Sequence, residues 1–253
     1  MGSVENIITE NLPIWSSAVQ SKSSAGRGTS SKRKLYGVKK LRDLILDLAV
    51  RGLLVPQDPN DEPASVLLEK VAAEKEQLIS EGEIKKYIQP LNVESGDEPF
   101  HLPENWSWAR LPNVCHYNFG KTPPTKNPSF WAEQPAGIPW VSIADMIHYD
   151  YIDATKKHIS TEAMKQVFKY PPVKAGTILM SFKLTLGKIS KLTIDSFHNE
   201  AIISIYPFTD IVHDYLFWTL PAQAQAGNSK AAIKGNTLNS ESIAAILIPV
   251  PPF

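Results

Sequence analysis

The sequence predicts an α+β protein, a helical hairpin region followed by a β-rich domain with a twisted, largely antiparallel sheet. Two segments ahead of residue 83 carry apolar residues at helical spacing. From Pro99 onward, short runs rich in β-branched and aromatic residues alternate with Pro, Gly and Asn clusters. The expected divisions are a flexible basic segment over 1–34, a helical region over 35–98 and the β-rich domain over 99–253.

Residues 20–34, QSKSSAGRGTSSKRK, are Ser/Gly/basic and carry too little apolar surface to fold alone. The first helix follows, with Val38, Leu41, Leu44, Ile45, Leu48 and Ala49 on one stripe. Gly52 supplies a left-handed stop and Pro56 lies just beyond. The turn-rich stretch 57–63, QDPNDEP, leads into a second helix carrying Leu67, Leu68, Val71, Ala72, Leu78 and Ile79, which Gly82 breaks. Two such helices hold too little core for a domain, so their stripes must pack on something else. Expected strands are Trp108–Leu111, Ile138–Ile143, Thr177–Phe182, Lys188–Ile194, Ala201–Tyr206 and Ile246–Val250, with helices over Ser160–Val167 and Asp210–Ala224. No internal repeat of 20–50 residues is visible.

The formal net charge is zero, but the distribution is uneven. Residues 163–194 hold six lysines and no acid, and residues 215–240 hold Lys230 and Lys234 with no acid. Such acid-free stretches read either as solvated faces or as an electrostatic footprint for phosphate. The single cysteine, Cys115, excludes an intramolecular disulfide framework and fits a reducing cytoplasm. No apolar run reaches the length of a membrane span and no signal-peptide core is present, so a cytoplasmic protein without membrane contact is expected. Asn6 stands where an N-myristoylation motif wants Ser or Thr.

Catalytic motifs fail on inspection. Gly120-Lys121-Thr122 and Gly187-Lys188 lack the upstream glycine of a phosphate-binding loop, having Cys115 and Phe182 there. Residues 127–130, NPSF, lack the second proline that a base amino-methyltransferase needs, and no glycine-rich nucleotide loop accompanies them. Glu83 and Lys85 have no convincing acidic partner for a nuclease metal. No HExxH zinc motif and no Gly-x-Ser-x-Gly elbow occurs. The sequence therefore points to no catalytic constellation and to no metal or cofactor in this chain.

A specific pattern remains. The segments 120–125 (GKTPPT), Phe130-Trp131, 138–146 (IPWVSIADM), 173–181 (VKAGTILMS), 185–188 (TLGK), 198–202 (HNEAI), 233–238 (IKGNTL) and 248–252 (IPVPP) occur in that order. Together they resemble a target recognition domain from the specificity subunit of type I restriction–modification systems. Residues 41–49 and the run 51–63, RGLLVPQDPNDEP, resemble the helical region of the same subunits, so the likeness covers about residues 35–253. Each piece also has a structural reading: Trp131, Trp140, Val141 and Ile143 as core, Gly120, Gly176 and Gly187 as turns or close approaches.

The resemblance implies sequence-specific DNA recognition without catalysis, one such domain reading one half of a bipartite site. It implies separate modification subunits, which bind S-adenosylmethionine and methylate adenine, and a separate restriction (motor–nuclease) subunit. One recognition domain and a stop at Phe253 correspond to an N-terminal half, and half-subunits of this family can pair, which makes a homodimer through residues 35–90 an expectation. By residue type and loop placement, the expected phosphate contacts are Lys121, Lys126, Lys183, Lys188, Lys191, Lys230 and Lys234. The expected base-reading or nearby polar residues are Thr122, Thr125, Asn127, Asn199, Asn228, Ser229 and Asn236. The alternative is a protein-interaction scaffold that uses the helical hairpin and has no intrinsic DNA specificity.

Overall fold

The computed structural model describes residues 4–21, 33–84, 92–231 and 238–252. Within the segment expected to be flexible, two short helices, α1 (Val4–Glu10) and α2 (Leu12–Ser17), precede a small antiparallel ribbon of β1 (Val19–Ser21) and β2 (Arg33–Leu35). Two longer helices follow, α3 (Tyr36–Val50) and α4 (Ala64–Ser80), at the positions their apolar stripes predict. Gly52 ends the first with a left-handed φ of 67°. Pro63 caps the start of the second, where a missing N–H costs nothing. The stripes find separate partners: α3 lies against α2, and α4 buries Ala64, Leu67 and Val71 in the main core.

The remainder is built from β3 (Ser107–Arg110), β4 (Cys115–Phe119), β5 (Trp131–Ala132), β6 (Ile138–Val141), β7 (Asp150–Ile152) and β8 (Lys157–Ile159). A short helix, α5 (Thr161–Ala163), continues into a π-helical turn over Met164–Phe168. Then come β9 (Ile178–Ser181), β10 (Ile189–Leu192), β11 (Phe197–His198), β12 (Ile202–Pro207), α6 (Ile211–Ala231), α7 (Ser240–Ala244) and β13 (Leu247–Val250). The fold is α+β and its strands are largely antiparallel, distributed over more than one sheet. A five-stranded sheet has the order β4-β12-β9-β10-β7, in which only the β10–β7 pair is parallel. A four-stranded sheet has the order β11-β6-β8-β5, and β13 pairs with β3 as a separate ribbon.

Alternation along the central strands explains their apolar sequence. Ile178, Met180, Ile203 and Ile205 face one side, into the core formed with α4 and α6, while Leu179 and Ile202 face the other, into a core with Val141, Met146 and Ile152. Sheets covered on both faces read as continuous apolar runs, as Ile178–Ser181 does. A third core of Phe130, Trp140, Ile159, Phe168 and Phe197 fills the four-stranded sheet. α6 packs on α3, β10, β12 and β13, joining the helical region to the five-stranded sheet.

Candidate nucleic-acid interface

The antiparallel register brings several predicted residues to one end of the five-stranded sheet. Phe119 at the end of β4 pairs with Ile203, and Ile202 at the start of β12 pairs with Ser181 at the end of β9. The loops 120–127, 182–188 and 199–201 therefore leave from the same edge. Backbone hydrogen bonds tie them together: Lys121 N–H donates to His198 O at 2.9 Å, Phe182 N–H to Ala201 O at 3.0 Å, and Leu238 N–H to Phe182 O at 2.9 Å. Gly120 is required by this junction, since a Cβ there would lie 2.2 Å from His198 O and 2.4 Å from Asn199 O.

Asn199 and Thr122 meet at this junction and hold each other. Asn199 Nδ2 donates to Thr122 Oγ1 at 2.9 Å, while Asn199 Oδ1 accepts from Ala201 N–H at 2.7 Å. Both ends of the amide are engaged, so the pair fastens two loops together. Beside it, His198 is buried and its pKa falls to about 4, because desolvation outweighs its contacts with Asn199 and Ile202. It is neutral at pH 7. Asn127 turns inward too, accepting from Ser129 N–H at 3.1 Å and from Ser129 Oγ at 2.9 Å. Thr125 is exposed and borders a recess with Trp131, Ala132, Lys156, Lys157 and His158.

The lysines divide by what their ammonium groups already contact. Lys121 Nζ donates to Val167 O at 3.0 Å, at the end of the π-helical turn, and lies 5.3 Å from the Tyr170 ring centroid. Lys188 Nζ donates to Ile143 O at 3.0 Å. Lys191 faces α6, with Nζ 2.6 Å from Asp214 Oδ1 and 4.8 Å from the Phe217 ring centroid. That hydrogen bond holds the Asp214 carboxyl below its usual range. Lys126 is exposed, and Lys183 is half-buried with its Nζ 5.4 Å from the centroid of the Phe182 ring. Neither ammonium group has a hydrogen bond or ion pair among the described residues. The side chains of Asn228, Ser229 and Lys230, in the last turns of α6, and all of Lys234 and Asn236 lie outside the described residues.

Residue-type reasoning passed over Lys156 and Lys157. Both are exposed beside Thr125, and Lys157 Nζ lies 4.9 Å from the Trp131 ring centroid. The signal available was the Lys-Lys pair itself, which lies just ahead of the acid-free stretch that begins at Ala163. Among the described residues, no group of three or more His, Cys, Asp or Glu side chains is arranged to hold a metal ion. No described helix is long and apolar enough to cross a membrane.

No protein-family model matches the chain. Curated relatives do. The chain is 56% identical over 115 residues to the type I restriction enzyme EcoEI specificity subunit of Escherichia coli, a match covering 46% of this chain and 19% of that protein. It is 53% identical over 116 residues to the EcoAI specificity subunit of the same organism, covering 46% of this chain and 20% of that protein. The matched part is thus about a fifth of the length of each relative. Among solved structures, the HsdS subunit from Thermoanaerobacter tengcongensis aligns with a TM-score of 0.45 at 18% identity, covering 92% of this chain and 55% of that one. Over those 115 residues, a little under half of its length, this chain is similar, at more than half identity, to specificity subunits of type I restriction enzymes.

Proposed function

We propose that this chain is a sequence-recognition module of a type I restriction–modification complex, reading one half of a bipartite DNA site. It performs no chemistry itself. It directs separate modification subunits, which carry S-adenosylmethionine, and a separate motor–nuclease subunit. The observation that carries this reading is the convergence of loops 120–127, 182–188 and 199–201 on one sheet end that also presents Lys126 and Lys183. The relationship to specificity subunits supports it.

In this reading, affinity comes from exposed lysines meeting phosphates and specificity from loop side chains meeting base edges. Lys126, Lys183, Lys156 and Lys157 are the phosphate contacts best placed, because among the described residues their ammonium groups have no hydrogen bond or ion pair to give up. Lys121, Lys188 and Lys191 reach DNA only by giving up the carbonyl or carboxylate contacts they already make. Thr122 and Asn199 set the loops' spacing and address bases only if their mutual hydrogen bond opens. A cytoplasmic location and a homodimer through residues 35–90 belong to the same proposal. A protein-interaction role for the helical region is the second reading, favoured by the exposed Tyr36, Val38 and Leu44 of α3.

The test is to titrate the chain, alone and with a modification subunit, against a random duplex pool at two salt concentrations and to sequence what is retained. Enrichment of a short motif supports recognition. Absence of binding in both settings overturns it and puts the scaffold reading first.

A further inference from the structure

The loop between β9 and β10 holds three apolar side chains after Ser181, and they do not share one fate. Phe182 is buried and meets Phe119 edge-to-face with ring centroids 5.3 Å apart, and Leu186 packs against the main core. Leu184 is 80% exposed, the most exposed large apolar side chain among the described residues. Its backbone sits at φ 63°, a region that favours glycine or asparagine. Thr185 N–H donates to Lys183 O at 2.7 Å, so Leu184 is the central residue of a three-residue γ-turn in its rare, strained form.

The turn is braced from below. Ser181 Oγ donates to Thr185 O, Ser181 N–H donates to Lys188 O at 2.9 Å, and Gly187 N–H donates to Ser181 O at 2.9 Å. Phe182 is pinned on both sides by its backbone bonds to Ala201 and Leu238. A leucine that is both strained and exposed gains nothing within the chain, and strain of this kind persists where surrounding structure enforces it, commonly at functional sites. Lys183 stands next to it, on the same sheet end as Lys126 and the Thr122–Asn199 junction.

We propose that Leu184 is an apolar wedge that enters between adjacent base pairs of bound DNA and kinks it. This rests on the DNA-reading function proposed above and names the residue that would deform the duplex. A braced turn can hold an apolar side chain against the cost of unstacking, and such wedges kink DNA by roughly 20–90°. Lys183 would meet a phosphate flanking the opened step. The kink would add selectivity for flexible base steps, at positions that no polar side chain needs to touch.

The experiment compares the unaltered chain with Leu184→Gly, Leu184→Asn and Leu184→Met, each with a modification subunit. The probe is an end-labelled duplex carrying the motif enriched from the random pool, read by affinity and by end-to-end energy transfer. Glycine and asparagine suit the left-handed backbone, so the melting temperature is expected to stay or rise, which a merely structural leucine would not allow. Affinity for the motif duplex is expected to fall on the order of tenfold to a hundredfold, with loss of bending, and Leu184→Met is expected to retain both. Binding to unrelated duplex is expected to be unchanged. A straight duplex in the unaltered complex, or full bending with Leu184→Gly, overturns the wedge while leaving recognition intact. Failure of the unaltered chain to enrich any motif overturns the proposed function instead.

Discussion

Replacing Lys126 and Lys183 together by Ala separates phosphate-binding lysines from lysines that serve the fold. Each phosphate contact contributes roughly −0.9 to the slope of log affinity against log salt. With Lys126, Lys156, Lys157 and Lys183 engaged, the slope is expected near −3.6, and the double variant should bring it near −1.8. Between 50 and 200 mM salt the unaltered chain should lose about 150-fold in affinity, and the variant only about 12-fold. The control is Lys188→Ala with Lys191→Ala, which removes the bonds to Ile143 O and Asp214. That pair should lower stability, with about 0.5–1 kcal/mol from the largely solvent-facing Asp214 side of the ion pair, and leave the slope near its original value. Fluorescence anisotropy on a random-sequence duplex at several salt concentrations reads the slopes, and urea denaturation reads the stability. If the control lowers the slope while Lys126→Ala with Lys183→Ala does not, the assignment of lysines by what they already contact is wrong.

Other expectations are narrower. Gly120→Ala places a methyl against two carbonyl oxygens at the loop junction, so chemical denaturation should show a loss of about 1–3 kcal/mol. Burial holds the folded pKa of His198 at about 4, below the ordinary histidine value of 6.5, so the folded state binds fewer protons. The stability this gives is complete above about pH 6.5 and is lost as pH falls towards 4, at up to about 1.4 kcal/mol per unit. His198→Gln should flatten that acid limb in urea melts measured from pH 7 to pH 4. If residues 35–90 mediate pairing, sedimentation at increasing concentration should show a dimer that weakens when Tyr36 and Leu44 are changed to Ser. A monomer throughout that range would remove the homodimer.

Much of the frame was legible because its punctuation is chemical. Gly52, Pro63 and the apolar stripes of α3 and α4 give the helices nearly to the residue. The doubly covered strands β9, β10 and β12 announce themselves as β-branched runs. β4 did not, since it carries His116, Asn118 and an exposed Phe119, and its place in the sheet comes from pairing with β12 some 86 residues away, as between Asn118 and Ser204. β5, β7, β8 and β11 are two or three residues each, too short for periodicity to register. The same distance problem limits the site. Asn199 and Thr122 are correct residue types for reading bases, but only the fold reveals that they bind each other across 77 positions. Lys191 looks like a free cation until α6 brings Asp214 to it from 23 residues away.

The ribbon of β3 and β13 sets Trp108 opposite Pro249 and Ser107 opposite Val250, so residues 111–246 begin and end side by side. A module whose two ends emerge together can be exchanged between scaffolds without changing the span its host must bridge. Recombination at these two strands would carry all the loops of the sheet end as one cassette, with the host helices kept in register so long as the incoming segment retains the faces that α3 and α4 pack against. New binding preferences could then arise by splicing, with no need to rebuild the supporting frame one substitution at a time.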